Sequence, residues 1–181
     1  MKKNNSSWSL FLDRDGVINQ RIPDDYVKSW DQFIFLPGVL KALQLLKPFF
    51  RHIFIVTNQQ GVGKGLMSGT ELLHIHKNLK KVVRKHGGWI EEIFYCTELS
   101  ISQPSCRKPA IGMGLAAKKK YPDIDFSQSI IVGDSGSDIA FGKNLGMVTV
   151  FIAEHDDKLQ ADHTCKDLHQ FYLTFVSKIN N

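Results

Sequence analysis

Five short apolar runs, rich in β-branched and aromatic residues, punctuate this chain: Trp8–Leu12, Ile53–Val56, Ile93–Tyr95, Ser129–Val132 and Val148–Ile152. Each suits a strand buried on both faces and is too short for a helix. Helical spacing fills the intervals. Val39, Leu40, Leu43, Leu45 and Leu46 follow Pro37-Gly38 with one greasy face. Ser68-Gly-Thr-Glu71 has the form of a capping box, and Leu72, Leu73, Ile75, Leu79, Val82 and Val83 then recur until Gly87-Gly88 ends the helix. Further helices are expected over Gly112–Tyr121, stopped before Pro122, over Asp138–Leu145 and over Asp167–Ile179. Strand alternating with helix dictates a parallel sheet covered on both sides, a Rossmann-like, doubly wound α/β fold.

At 181 residues and 43% hydrophobic composition the chain suits one domain with a real core. We expect residues 1–7 to form a disordered polar tail and residues 8–181 a single domain. No run of about 18 apolar residues occurs, and the apolar stretch that follows Lys2 and Lys3 stops at Asp13, so a cytoplasmic location with no membrane contact is expected. Cys96, Cys106 and Cys165 do not make a disulfide framework in a chain of this length. The net charge of +5 is spread among interleaved acids rather than gathered in a stripe. It fits an anionic small molecule as well as nucleic acid, and nucleic-acid partners are not expected.

In a sheet of this kind ligands bind beyond the carboxyl ends of the strands. Those ends carry unusual polar residues: Asp13-Arg-Asp15-Gly16 after the first strand, Thr57-Asn58-Gln59 after the second and Gly133-Asp134 after the fourth, with Asp138 four residues on and Lys108 in the loop after the third. The set suits phosphoryl transfer. A carboxylate at Asp13 can attack phosphorus and form an acyl phosphate. Carboxylate and phosphate repel, so Asp13 and Asp134 offer hard oxygens to a bridging Mg²⁺. Lys108, the Thr57 hydroxyl and the Asn58 amide can face the phosphoryl oxygens. Asp15 can protonate the leaving oxygen and then activate water. Asp138 reads as a helix-start residue rather than a direct ligand.

All four sequence motifs of the haloacid dehalogenase superfamily are present in order. The wider stretches Asp13-Arg-Asp-Gly-Val-Ile-Asn19, Val56-Thr-Asn-Gln-Gln-Gly-Val-Gly-Lys-Gly65 and Cys106-Arg-Lys-Pro109 resemble its heptose-bisphosphate phosphatase and histidinol-phosphatase subfamily over about residues 8–165. The resemblance implies a minimal cap, an open site and a monomer. It implies Asp13 as nucleophile, Asp15 as acid–base group and backbone metal ligand, and Asp134 as metal ligand. Thr57 and Lys108 would hold the phosphoryl group. Asp24, Asp25, Tyr26, Gln59, Gln60, Arg107 and Ser135 would join Asn58 on the substrate side. The implied activity is Mg²⁺-dependent hydrolysis of a small sugar phosphate, first D-glycero-D-manno-heptose 1,7-bisphosphate, then histidinol phosphate or another metabolite.

The subfamily usually carries a zinc loop of the form Cys-x-His followed by Cys-x-Cys. Here the halves read Cys96-Thr-Glu98 and Pro104-Ser-Cys106. Proline has no side-chain ligand, so the tetrahedral set is incomplete. We expect no zinc and a loop held by packing.

Blander readings compete. Gly61-Val-Gly-Lys64-Gly65 lacks the spacing and the hydroxyl residue of a nucleotide loop and reads as a flexible substrate-side loop. His74 and His76 lie on different sides of a helix and read as solvated or partly packed. Lys77, Lys80, Lys81, Arg84 and Lys85 read as a solvated face. Two rival functions remain: a non-catalytic phosphate binder, which has no need of a second acid at Asp15, and a nucleic-acid 3′-end phosphatase, which the missing basic stripe disfavours.

Overall fold

Six parallel strands form one sheet in the order β3-β2-β1-β4-β5-β6. They are β1 (Ser9–Leu12), β2 (His52–Asn58), β3 (Glu92–Cys96), β4 (Ser129–Gly133), β5 (Val148–Ile152) and β6 (His163–Cys165). The computed structural model describes residues 6–153 and 160–176. Helices α1 (Val39–Leu46), α2 (Gln60–Gly63), α3 (Gly69–Lys85), α4 (Gly112–Lys120), α5 (Gly136–Leu145) and α6 (Leu168–Phe171) fill the connections. The five expected strands are present. β6 is an addition: it has three residues, two of them exposed, and leaves no apolar run to read.

Strand periodicity divides the core. Leu10, Leu12, Ile53, Ile55, Ile130 and Val132 face one side with Leu43, Leu46, Leu72, Ile75 and Phe171. Phe11, Phe54, Val56 and Ile131 face the other with Met113, Ala117 and Phe141. Alternate side chains of a strand take opposite faces, so only strands apolar throughout can sit here. Each fully buried Leu, Ile or Phe contributes about 1.5–3 kcal/mol. The expected capping box starts α3: Ser68 Oγ accepts from Glu71 N at 3.1 Å, and Glu71 Oε2 accepts from Ser68 N at 2.6 Å.

Residues 1–5 of the expected tail lie outside the described residues. Ser6 donates its hydroxyl to Phe49 O at 2.6 Å. The expected last helix begins at α6, continues as a π-helical turn over Tyr172–Val176, and from 177 onward lies outside the described residues.

The chain winds from β1 outward to β3, then crosses to β4 on the other side of β1. The crevice between the carboxyl ends of β1 and β4 is thus the switch point at which such sheets bind ligands. The turn Asp13–Gly16 leaves β1 there and Asp134 follows β4.

Candidate active site

A cavity of about 470 Å³ opens at that edge, lined by Asp13, Asp15, Thr57, Asn58, Lys108 and Asp138 at its floor. Arg21, Asp24, Asp25, Tyr26, Lys64, Arg107 and Ser135 line its walls. Lys108 is 3% exposed and ties the floor together. Its ammonium lies 2.8 Å from Asp13 Oδ1, 2.6 Å from Val56 O and 2.5 Å from Asp138 Oδ1. Burial alone would lower its pKa, but the charges of Asp13 and Asp138 outweigh this and raise it. The Asn58 amide grips the backbone of the same lysine, accepting from Lys108 N at 3.0 Å and donating to Lys108 O at 3.2 Å. Asn58 therefore positions Lys108 as well as facing the cavity.

Oxygens of Asp13, Asp134 and Asp138 lie within 4.8 Å of one another. Burial, only partly offset by Lys108, pushes Asp13 up to about 7. Burial likewise pushes Asp134 up to about 6, against the pull of Arg21. Carboxylates so crowded and so shielded are the donor set of a hard divalent cation, which would relieve both strains. Asp134 Oδ1 meanwhile accepts from Arg21 Nη2 at 2.8 Å. Asp138 also does what its helix-start reading requires: Oδ2 accepts from Ser135 N at 3.1 Å and from Ser135 Oγ at 2.6 Å. Gly16 makes the close approach possible. It has φ +94°, and a Cβ there would fall 1.8 Å from Asp134 Oδ2.

Asp15 sits in a different setting. Arg14 reaches it through Nε and Nη2, each at 3.1 Å; Asn19 Nδ2 donates at 2.8 Å and Gln59 Nε2 at 2.8 Å. Burial opposes its ionisation, but the Arg14 charge and these donors prevail and hold its pKa below the usual value. Gln59 Nε2 also donates to Thr57 Oγ1 at 2.9 Å. The Thr57 hydroxyl keeps its own proton for another acceptor.

Gln59 and Gln60, expected on the substrate side, turn inward and are absent from the cavity lining. Gln60 Nε2 donates to the Tyr26 hydroxyl at 3.0 Å, and its Oε1 accepts from Ser100 N at 2.7 Å. Arg107 Nη1 is buried without a hydrogen-bond partner among the described residues. Sequence alone assigns no individual role to Arg14, inside the Asp-Arg-Asp-Gly turn, to Lys64, inside the glycine-rich loop, or to Arg21. The residue directly after the apolar first strand is Asp13, so no local signal singles out Arg14.

The loop bearing Cys96 and Cys106 requires a correction. A disulfide joins the two, with Cα atoms 5.5 Å apart, so this segment is closed by a covalent bond and not by packing alone. Glu98 Oε1 lies 3.9 Å from Cys106 Sγ. Among the described residues, Pro104 brings no ligand to this cluster.

The profile of the polynucleotide kinase 3 phosphatase family matches residues 10–175. The D-glycero-α-D-manno-heptose-1,7-bisphosphate 7-phosphatase of Mycobacterium tuberculosis (strain ATCC 25618 / H37Rv) is 43% identical over 138 residues, covering 76% of this chain and 73% of that one. This chain belongs to the heptose-bisphosphate phosphatase family of the haloacid dehalogenase superfamily. The phosphatase is also 36% identical over 137 residues to the D-glycero-β-D-manno-heptose-1,7-bisphosphate 7-phosphatase of Bordetella bronchiseptica, covering 76% and 75%. The crystal structure of D,D-heptose 1,7-bisphosphate phosphatase from B. bronchiseptica, complexed with magnesium and phosphate, superposes with a TM-score of 0.84 at 29% identity, covering 94% of the phosphatase chain and 98% of that one. The α/β fold expected from the alternation of elements is therefore that of this enzyme class. Among the described residues, no helix of the phosphatase is long and apolar enough to cross a membrane.

Proposed function

We propose that this phosphatase hydrolyses the 7-phosphate of a D-glycero-D-manno-heptose 1,7-bisphosphate, with Asp13 as nucleophile. The observation that carries the chemistry is the buried meeting of Asp13, Lys108 and the acidic pair from β4 and α5 at one point of the cavity floor. Relatives named for this substrate carry the choice of sugar, and Lys64 and Arg107 of the cavity wall fit a second phosphate.

Asp13 attacks phosphorus as the sugar alkoxide leaves, and Asp15 supplies the proton that makes the alcohol. The arriving phosphate dianion opposes the charge on Asp15, which favours the protonated form this step needs. Lys108 and the Thr57 hydroxyl face the phosphoryl oxygens. Asp15 then takes a proton from water as that water attacks the aspartyl phosphate, releasing inorganic phosphate and freeing Asp13. Asp13, Asp134 and the Asp15 carbonyl would hold Mg²⁺, which supplies charge neutralisation between carboxylate and phosphate. Arg107, Asn58, Ser135 and the Asp24–Tyr26 wall contact the rest of the substrate.

The loop takes no zinc on this reading, and the enzyme works as a cytoplasmic monomer. Even with Cys96 and Cys106 reduced, Glu98 and Pro104 leave the tetrahedral set incomplete, and as a disulfide the pair offers no thiolate at all. Metal analysis of purified protein should find zinc well below stoichiometry; one zinc per chain contradicts this. The substrate is tested with purified enzyme and Mg²⁺ on the α and β anomers of the heptose bisphosphate, histidinol phosphate and a 3′-phosphorylated oligonucleotide. The bisphosphate should give the largest kcat/KM. The family profile's name and the basic outer face of α3 favour the oligonucleotide as the rival, and its preferential hydrolysis would install that reading instead.

A further inference from the structure

His76 stands on the inward side of α3, between Ile75 and Leu79, where every other buried residue of that helix is apolar. It is 6% exposed, and its ring packs 5.2 Å from that of Tyr95. Its Nε2 lies 3.3 Å from Nη1 of Arg14, a buried side chain. Arginine carries donors only, so Nη1 donates and Nε2 accepts. The ring is therefore neutral, with its proton on Nδ1. Burial first, and then the guanidinium charge, hold the imidazole down to about 3, so this acceptor persists throughout the neutral range.

The guanidinium is thus used on both edges. Nε and Nη2 form the fork on Asp15, and Nη1 ends on His76. A planar group pinned at both edges cannot rotate in its own plane without breaking a buried bond. Competing acceptors stand close by: Asn19 Oδ1 and Gln59 Oε1 are buried without partners among the described residues, on the two side chains that also bond Asp15. An Nη1 left unpaired would cost about 1–3 kcal/mol, enough to draw the guanidinium toward one of them.

We propose that His76 is a positioning residue for the acid–base step: by accepting from Arg14 Nη1 it fixes the guanidinium fork and with it the aim of the Asp15 carboxyl group. This inference rests on the reading of Asp15 as acid–base group.

The test compares kcat/KM for two leaving groups, since that ratio reports the step in which the ester bond breaks. An alkyl phosphate needs its leaving oxygen protonated; 4-nitrophenyl phosphate departs without help. Misaiming Asp15 should therefore harm the first more. His76→Leu should lower kcat/KM for the alkyl phosphate about tenfold and for the aryl phosphate less than about threefold. His76→Gln, whose Oε1 can reach the Nε2 position, should keep both within about threefold of wild type. If His76→Leu does not fold, the shorter His76→Asn takes its place against His76→Gln. Equal losses on both substrates, or equal behaviour of the Gln variant and its comparator, would make His76 a packing residue and overturn the proposal. Asp15→Asn serves as the control. An unchanged alkyl-to-aryl ratio there removes Asp15 as the acid and overturns both readings, whereas a changed ratio there with an unchanged one in the His76 variants overturns this one alone.

Discussion

Asp13 and Asp15 are separated by one residue and leave the same strand, yet they live in opposite settings. Around Asp13 there are too many acids for the single ammonium of Lys108, and burial drives its pKa up to about 7. Around Asp15 there is a surplus of donors from Arg14, Asn19 and Gln59, and its pKa lies below the ordinary value. The turn explains the split: the pleat alone would point residues two apart to the same side, but β1 ends at Leu12 and the chain turns through Gly16 at φ +94°, so Asp15 leaves the strand direction that Asp13 keeps. One carboxyl group is left in a cluster that is incomplete without a cation. The other is finished by protein groups alone. On the proposed mechanism, a nucleophile that must be unmasked by its metal and an acid–base group that must be aimed are the two needs of a two-step phosphatase, and Asp13 and Asp15 would meet them within one turn.

That contrast can be broken most severely at Asp13. Asp13→Asn keeps the volume and removes the attacking oxygen, and it should lower turnover of 4-nitrophenyl phosphate by at least about a thousandfold while circular dichroism stays native. Near-wild-type turnover would remove the nucleophile assignment. On the other side of the comparison, Arg14→Met leaves Asp15 without its fork. It should lower kcat about ten- to a hundredfold and destabilise the fold by about 3 kcal/mol in urea melts, because Arg14 is wholly buried. Full activity in that variant would show that Asp15 needs no arginine.

Metal should act on the first cluster and spare the second. Chelation should stop the reaction and Mg²⁺ restore it. Since the ligand carboxylates must lose protons to bind, affinity for Mg²⁺ in calorimetry should rise about tenfold between about pH 5.5 and 7.5. A flat profile would contradict the raised values at Asp13 and Asp134. The smallest effect is on stability. A carboxyl group raised from 3.8 to about 7 on folding stabilises the metal-free fold fully below pH 3.8, and that contribution is lost as pH rises through about 7. His76, lowered from 6.5 to about 3, acts in the other sense, its contribution present above 6.5 and lost on acidification. The Asp13 share is isolated by difference: metal-free wild type should lose about 3–6 °C in melting temperature relative to Asp13→Asn between pH 5 and 8, and saturating Mg²⁺ should close the gap.

The sheet was legible because its strands are apolar on both faces and its helices are periodic; those signals are local. β6 escaped because His163-Thr-Cys165 is short and half exposed. Much of the cavity floor was legible too, since Asp13 and Thr57 stand at strand ends, and the topology brings them together with Lys108 from the loop after β3. Direction was not. Spacing along the chain says that Gln59 follows a strand, but not that its amide turns inward to Asp15 and Thr57. The support of Asp15 is assembled from the first strand's turn, β2's end and α3, so no window of sequence contains it. Cys96 and Cys106 are ten residues apart, and their pairing depends on how a loop folds back on β3.

Gly16 offers a lever of another kind. Alanine there would thrust a methyl group into the carboxylate that follows the fourth strand while changing no ionisable group and no side-chain hydrogen-bonding atom. The position is in effect a hinge pin between two halves of the cation cage. Replacing it by alanine pries those halves apart sterically, so occupancy of the cage can be weakened with the reacting carboxylates, and their charges, left intact.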